Sequence, residues 1–278
     1  MNIKELQEKL FGMWQMFDAI CREHHIVYYL DSGSAIGAVR EHDFIPWDDD
    51  IDVAIIRADY ERLKKILPCV LQPQYKFVEP KDFAPYFYDF VPRIIDTTVP
   101  LREETDEDRA YKNYQNRMSI DFIILDTVPD IKLLQAMIKF RSKMIYGLAR
   151  SKRYNNEAEA MSVTERVVSG ICLVLGKAFS LQKLLELYTK NTARYRNTDS
   201  HTFVRSNSIL YFIGFYSKDL YSSTVLFPFH GAMAPLPSGY HEILTHLYGD
   251  YMTPRRDYKG LIQHAEIDSE SRDGKHEY

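Results

Sequence analysis

In residues 46–53, PWDDDIDV, four carboxylates fall within five positions: Asp48, Asp49, Asp50 and Asp52. They stand at the mouth of an apolar, β-branched run. Ile51 to Ile56 is apolar apart from Asp52, the composition of a buried strand. Alternation along a strand puts Asp50 and Asp52 on one face. Two carboxylates a few ångströms apart repel, and one takes up a proton unless a cation lies between them. Mg²⁺ or Mn²⁺ suits such a pair, being hard, oxygen-seeking and able to neutralise phosphate. Asp48 and Asp49 lie in the preceding loop, from which one of them can support the pair. Acidic clusters in loops are commonly solvated turns. Three features argue for more here. Asp52 interrupts a core strand, which is costly without a partner. Asp121, between Ile120 and Phe122, is a second such interruption. A glycine-serine pair, Gly33-Ser34, precedes the cluster by a loop length.

Outward from this stretch, elements can be read in both directions. Upstream, Ile3, Leu6, Leu10, Met13, Phe17 and Ile20 recur at three- and four-residue steps, an amphipathic helix over residues 2–24. Residues 27–30 (VYYL) form a short strand, Asp31-Ser32-Gly33 a turn, and Ser34 to Arg40 two helical turns. Residues 42–50 are a loop stiffened by Pro46. Downstream, residues 59–67 form a helix stopped by Pro68. Residues 75–78 and 87–95 are strands, the second at an edge or bent because of Pro92. Residues 102–113 are charged and aperiodic, so a mobile loop is expected there. Residues 119–125 (SIDFIIL) are the next buried strand. Residues 131–150 and 162–196 are helical, with a break near Ser180; 211–215 and 225–229 are short strands. A helix over 240–248 stops at Gly249, and the last dozen residues are polar and frayed. These elements add up to an α/β (α+β) fold. A mixed-sheet core occupies residues 1–128, a helical insertion 129–200, a part completing the site 201–265, and a flexible tail 266–278.

Composition narrows the function. Hydrophobic residues at 45% and charged residues at 27% allow a sizeable core. A net charge of −4 counts against duplex nucleic acid as a partner. Cys21, Cys69 and Cys172 are far apart, and no Cys-x-x-Cys occurs, which excludes a zinc ribbon or redox pair and suits a reducing compartment. Lys and Glu interrupt the first residues before any signal-peptide core builds up. The apolar stretch Val167 to Leu175 is shorter than the about 20 residues that span a bilayer. A cytoplasmic location is therefore expected. Lys139, Arg141, Lys143, Arg150, Lys152 and Arg153 precede that stretch. They form either a solvated face beside a core helix or a peripheral contact with the inner face of an anionic membrane.

Gly-Ser opening a short helix, an Asp-x-Asp on the next strand and a carboxylate from a neighbouring strand together resemble the nucleotidyltransferase pattern. In it Gly33 lets backbone amides approach a phosphate and Ser34 donates to a phosphate oxygen. Asp121 completes the metal site or serves as general base. Residues 29–62, YLDSGSAIGAVREHDFIPWDDDIDVAIIRADYER, closely resemble the signature of the LicD family. Its hallmark is Gly-Thr-Leu-Leu-Gly-Ala-Val-Arg, then Phe-Ile-Pro-Trp-Asp-Asp-Asp-Ile-Asp, then an Asp-Tyr-Glu-Arg helix. Residues 44–52 and 59–62 match intact, and Ser34 stands for the threonine with its hydroxyl kept. Residues 120–126 resemble the family's Asp-Ile-Phe-Pro-Leu-Asp strand, with Ile124 for proline. Residues 235–254 resemble its Tyr-Gly-Asp-Tyr-Met block, with Arg255 where a second proline is frequent. The resemblance is loose in the helical middle.

What the resemblance implies is a nucleotidyltransferase-like fold and a metal-dependent phosphotransferase. The donor is CDP-linked, with CDP-choline favoured, and CMP is released. The acceptor is a hydroxyl of a cell-surface glycan, lipid-linked in some cases, as in lipopolysaccharide, capsule or teichoic acid synthesis. Asp50 and Asp52 would hold the metal, Gly33 and Ser34 the phosphate, and Asp121 would take the acceptor's proton, with Asp48 and Asp49 alongside. Arg40 would neutralise the departing CMP or pair with the acidic loop, and Arg93 would face the pocket or solvent. Tyr86, Phe87, Tyr88, Tyr248 and Tyr251 are candidates for a choline cage, against a plain packing role. Two alternatives remain: nucleotide transfer from a triphosphate to a small molecule or macromolecule, and a non-catalytic nucleotide-binding protein. The intact acidic loop and C-terminal block count against the first, and the presence of all three carboxylates against the second.

Overall fold

The computed structural model describes residues 1–153, 163–208 and 214–254, apart from the side chains of 163–165. Chain order is α1 (Ile3–Glu23), β1 (Tyr28–Leu30), α2 (Ser32–Ile36), β2 (Ile51–Ile56), α3 (Arg57–Val70), β3 (Tyr75–Val78) and β4 (Arg93–Asp96). Next come α4 (Asp106–Ala110), β5 (Ser119–Val128), α5 (Lys132–Ala149), α6 (Val163–Gly176) and α7 (Leu181–Thr192). The chain ends with β6 (Thr202–Arg205), β7 (Phe215–Ser217), β8 (Thr224–Phe229), β9 (Ala232–Pro237) and α8 (Tyr240–Tyr248). The fold is mixed α/β, as expected. β1 to β7 form one mixed sheet, and β8 and β9 form a separate hairpin.

β2 and β5, the two strands that carry an acidic interruption, lie side by side and parallel, with Asp52 opposite Asp121. β1 pairs antiparallel with the free edge of β2. One sheet face is apolar: Ile51, Val53, Ile55, Ile120, Phe122 and Ile124 are buried with α1 and α3. The Phe17 and Phe122 rings meet edge to face at 5.5 Å. α1 starts in a capping box, in which the Asn2 side chain accepts the Glu5 N–H (2.9 Å) and Glu5 accepts the Asn2 N–H (3.2 Å).

The second edge of β5 is shared. β4 pairs with its first residues and β6 with its last. The interval between them is closed by one side chain: Asn207 accepts the Ile124 N–H (2.9 Å) and donates to the Phe122 carbonyl (2.6 Å). Asn207 thus stands in for a missing length of strand. β6 and β7 lie beyond residue 128, so the sheet draws on chain far downstream of the first half. β6 and β9 have no counterpart in the sequence expectations.

Several local expectations are corrected. Residues 102–113 include α4, whose Thr105–Asp108 capping box and Arg102–Asp108 ion pair organise the segment. Asp108 gathers so many donors that its carboxyl is held well below the ordinary range, with Arg102 the largest cause. α3 runs past the expected stop at Pro68 to Val70, although Pro68 has no N–H to give the carbonyl four residues before it. The strand expected over 87–95 is confined to Arg93–Asp96 and lies inside the sheet, with Pro92 just ahead of it. Most of the expected 211–215 strand, and the tail, lie outside the described residues.

Replacing Asn207 by Ala strands a buried carbonyl and a buried N–H at the sheet centre. A loss of about 3 kcal/mol is expected in urea denaturation. A loss under about 1 kcal/mol would mean that the gap closes without Asn207.

Candidate active site

The parallel register of β2 and β5 decides the site. Asp52 and Asp121 lie opposite each other on adjacent strands, about 4.8 Å apart in the pairing direction. β1 continues the same level, since the Asp31 N–H donates to the Asp52 carbonyl (2.9 Å). On the other side Arg93 of β4 lies opposite Asp121. Asp31, Asp52, Asp121 and Arg93 therefore form a row across four strands, with Asp50 in the turn just before β2.

The ends of the row are neutralised. Arg205, at the end of β6 and fully buried, pairs with both Asp31 oxygens at 2.6 and 2.5 Å and donates to Ser32 Oγ at 3.2 Å. Burial works against its charge, but Asp31 outweighs burial and holds the guanidinium protonated. Arg93 is also buried. It grips both Asp121 oxygens (Nε at 3.0 and 3.2 Å, Nη2 at 2.8 Å) and reaches Asp89 at 2.9 Å. Ser119 Oγ donates to Asp121 at 2.7 Å.

The centre of the row is left electron-rich. Burial, then the charges of Asp50, Asp121, Asp31 and Asp48, push the Asp52 carboxyl well above the ordinary range. Burial, then Asp50 and Asp49, do the same to Asp48. Asp48 Oδ2 is buried with no hydrogen-bond partner, and a Cβ on Gly33 would lie 2.8 Å from it. Gly33 is thus required for space. It lies inside α2, and the left-handed residue of the preceding turn is Ser32, with φ 47°. The expected turn at 31–33 is therefore already helix from Ser32, with Asp31 at the N-cap position but making no side-chain capping bond. Ser34 Oγ accepts the Asp52 N–H at 3.0 Å, which ties α2 to β2 directly below the carboxylates.

The structure brings together Gly33, Ser34, Asp48, Asp49, Asp50, Asp52, Asp121 and Arg93. It takes Arg40 elsewhere: its guanidinium binds Glu41 (2.6 Å) and the Tyr251 carbonyl (2.8 Å), so it pins the C-terminal block rather than the acidic loop. Phe87 is packed with Phe90 and Tyr146, and the Tyr88 hydroxyl is bound to the Tyr111 carbonyl. Neither lines the row. Tyr248 does belong to it. Burial, then the Asp52 and Asp31 charges, raise its phenol, which the Ser32 hydroxyl and Arg205 partly offset. The Tyr251 hydroxyl is bound to His241 at 2.8 Å. Sequence reasoning missed Asp31, Arg205 and Asp89. Asp31 follows a strand directly, a usable sign, but nothing local marks Arg205.

A cavity of about 830 Å³ opens elsewhere, between α3 and α7, lined by Arg57, Tyr60, Lys64, Lys81, Tyr188 and Lys190 among others. None of the carboxylates in the row lines it, so charge rather than cavity size marks the site.

The carboxylate row thus lies on two parallel strands and the end of a third, beside a Gly-Ser helix start. Residues 25–91 match the family model described as LicD/FKTN/FKRP, nucleotidyltransferase domain, and the chain carries a domain of this LicD family. The match takes in Asp31, Gly33, the acidic loop, Asp52 and Asp89. It stops short of Arg93 and Asp121. Over 264 residues, 93% of this chain and 95% of the relative, the sequence is 25% identical to the lipopolysaccharide cholinephosphotransferase LicD of Haemophilus influenzae. An uncharacterized protein of Rickettsia prowazekii is 44% identical over 64 residues, 22% of this chain and 24% of that protein. One of Rickettsia typhi is 31% identical over 81 residues, 28% and 26% respectively.

A carboxyl whose native affinity for protons is raised destabilises the fold as pH climbs above the unfolded value near 4. Asp52→Asn is therefore expected to raise the melting temperature at pH 7 by about 2–4 °C, the gain shrinking as pH falls toward about 4. A variant that melts lower at pH 7 would show that Asp52 is a net stabilising charge.

Proposed function

We propose that this chain is a metal-dependent phosphotransferase that moves phosphocholine from CDP-choline onto a sugar hydroxyl of a cell-surface glycan. The observation that carries the reading is the row Asp31–Asp52–Asp121, whose end carboxylates are bound to buried arginines while Asp52 at its centre has no Lys or Arg partner among the described residues. The name of the Haemophilus relative, which covers nearly the whole chain, supplies the headgroup and points to a lipopolysaccharide-like acceptor.

The residues fit a hard divalent cation. Every donor is a carboxylate oxygen, and burial, then repulsion from the neighbouring carboxylates, raises the proton affinity of Asp48 and Asp52, a cost that a bound cation would offset. Among the described residues no three His, Cys, Asp or Glu side chains enclose an ion by themselves. That favours Mg²⁺ shared with substrate phosphates, a usual mode for this ion. Asp50 and Asp52 would hold it, and when bound it would neutralise the diphosphate charge.

The chain's own groups do the rest. The α2 start, opened by Gly33 and tied to β2 by Ser34, offers backbone N–H groups toward the phosphates. The acceptor hydroxyl attacks the phosphorus of the headgroup in line with the departing CMP. Its proton passes to a carboxylate of the row. For Asp121 to receive it, one of the Arg93 contacts must be given up, so Arg93 sets the position of that carboxylate.

The test is CMP release from a panel of CDP-linked donors with Mg²⁺, with and without glycan. One donor should be consumed, and Asp52→Asn should slow turnover about 1,000-fold or more. Asp121→Asn should cost about 100-fold or more, with donor binding kept. Mg²⁺ should raise the melting temperature of the wild type and not of Asp52→Asn. Release of diphosphate from nucleoside triphosphates, with no CMP from any donor, would replace this reading with nucleotide transfer.

A further inference from the structure

α6 contradicts the economy of a soluble helix. Its exposed residues include Val167, Val168, Ile171, Val174 and Leu175, with Val174 at 69% exposure, while Cys172 on its inner side is buried. α5 shows the same anomaly in a stripe at helical spacing: Leu133, Met137 and Phe140, with Leu133 at 70% and Phe140 at 65%. The two helices touch closely, since a Cβ on Gly147 would meet Cys172 Sγ at 3.1 Å. A helix that is apolar all round belongs in a core, in a membrane or under a partner. None of the described helices is by itself long and apolar enough to cross a bilayer, and α6 meets the following helix at a bend of 119°.

Charge identifies the occupant. Residues 131–196 carry 13 Lys and Arg against four Glu and no Asp, whereas the chain as a whole has 35 against 39 acidic residues. A protein of net charge −4 thus concentrates positive charge on a segment that exposes an apolar face. Lys132, Arg141, Lys143 and Lys177 are exposed beside it. Two of the cations expected there are instead structural. Arg150 is buried, and Arg153 donates to the Tyr88 carbonyl (2.6 Å) and the Tyr146 hydroxyl (2.8 Å). Self-association through this face would bring like charges together, while an anionic bilayer takes both the apolar side chains and the lysines.

We infer that the exposed face of α5 and α6 seats the protein on an anionic membrane surface, with the apolar stripes in the headgroup layer and the lysines against lipid phosphates. None of the residues of this face belongs to the carboxylate row, and seating needs no turnover. It therefore stands or falls independently of the transfer reaction.

The test is flotation of the full chain with vesicles of phosphatidylglycerol and phosphatidylcholine in equal parts, against phosphatidylcholine alone. Binding is expected to the anionic vesicles at ~0.05 M salt, and to weaken about tenfold at ~0.5 M. Phe140→Ser with Val174→Ser, and separately Lys132→Glu with Lys143→Glu, should each reduce binding about tenfold without lowering the melting temperature, because all four residues are exposed. No flotation of the wild type at low salt would overturn the inference. So would flotation that both pairs leave unchanged, or a wild-type dimer that Phe140→Ser with Val174→Ser dissociates, which would make the face a protein interface.

Discussion

Electrostatic repulsion across one level of the sheet is the constraint on which the rest of this structure depends. Three aspartates, one from each of three adjoining chain segments, are brought to the same height by the β1–β2–β5 pairing. Left alone, such a row would not stay ionised inside a fold. The protein answers unevenly. A buried arginine is committed to each end, Arg205 to Asp31 and Arg93 to Asp121, and among the described residues no Lys or Arg pairs with Asp52 or Asp48. The outer charges are thereby fixed and the inner ones kept available. A structural salt-bridge network would neutralise all of them, so the asymmetry is what supports the chemical role proposed for the row.

Much of the surrounding architecture follows from supplying those two arginines. Arg93 needs β4 inside the sheet, and Arg205 needs β6 to come back from beyond the helices and lie against the end of β5. Two short strands then share one edge of β5, which leaves an interval that Asn207 fills with its amide. On the other face, Asp126 is fully buried and bound by Arg57 at 2.9 and 2.8 Å, fixing the start of α3 to β5. The two faces divide the labour. One is a continuous apolar bed for α1 and α3. The other carries the row at one end and, at the other, a cluster of Tyr29, Leu125, Phe203, Tyr216 and Ile243.

The acidic loop and its strand were legible because both signs are local. An aspartate inside an apolar run is visible without knowing its neighbours, and Asp52 and Asp121 each stood out in that way. The helices were legible for the same reason, since their period repeats along the chain. Some short elements were not. β6, four residues long, has no counterpart among the expectations, and the strand expected over 87–95 is confined to Arg93–Asp96, behind Pro92. α4 was hidden because its capping box, rather than an apolar period, organises it. For Arg40 the sequence offers the departing CMP or the acidic loop as a partner; the structure gives it Glu41 and a carbonyl 211 residues away, that of Tyr251.

By itself the sequence determined that Asp52 and Asp121 carry charge into the core on two strands, and that helices dominate the middle of the chain. These depend on composition and period, which every segment holds within itself. Tertiary structure alone decided that the two strands are neighbours in parallel register, that Arg205 and Arg93 close the ends of the row, and that Gly33 makes room for Asp48. It also decided that α6, apolar enough for a core, presents its side chains outward. Pairing register and the side of a helix that finds a partner are set by contacts between distant segments, and no stretch of sequence contains both halves of such a contact.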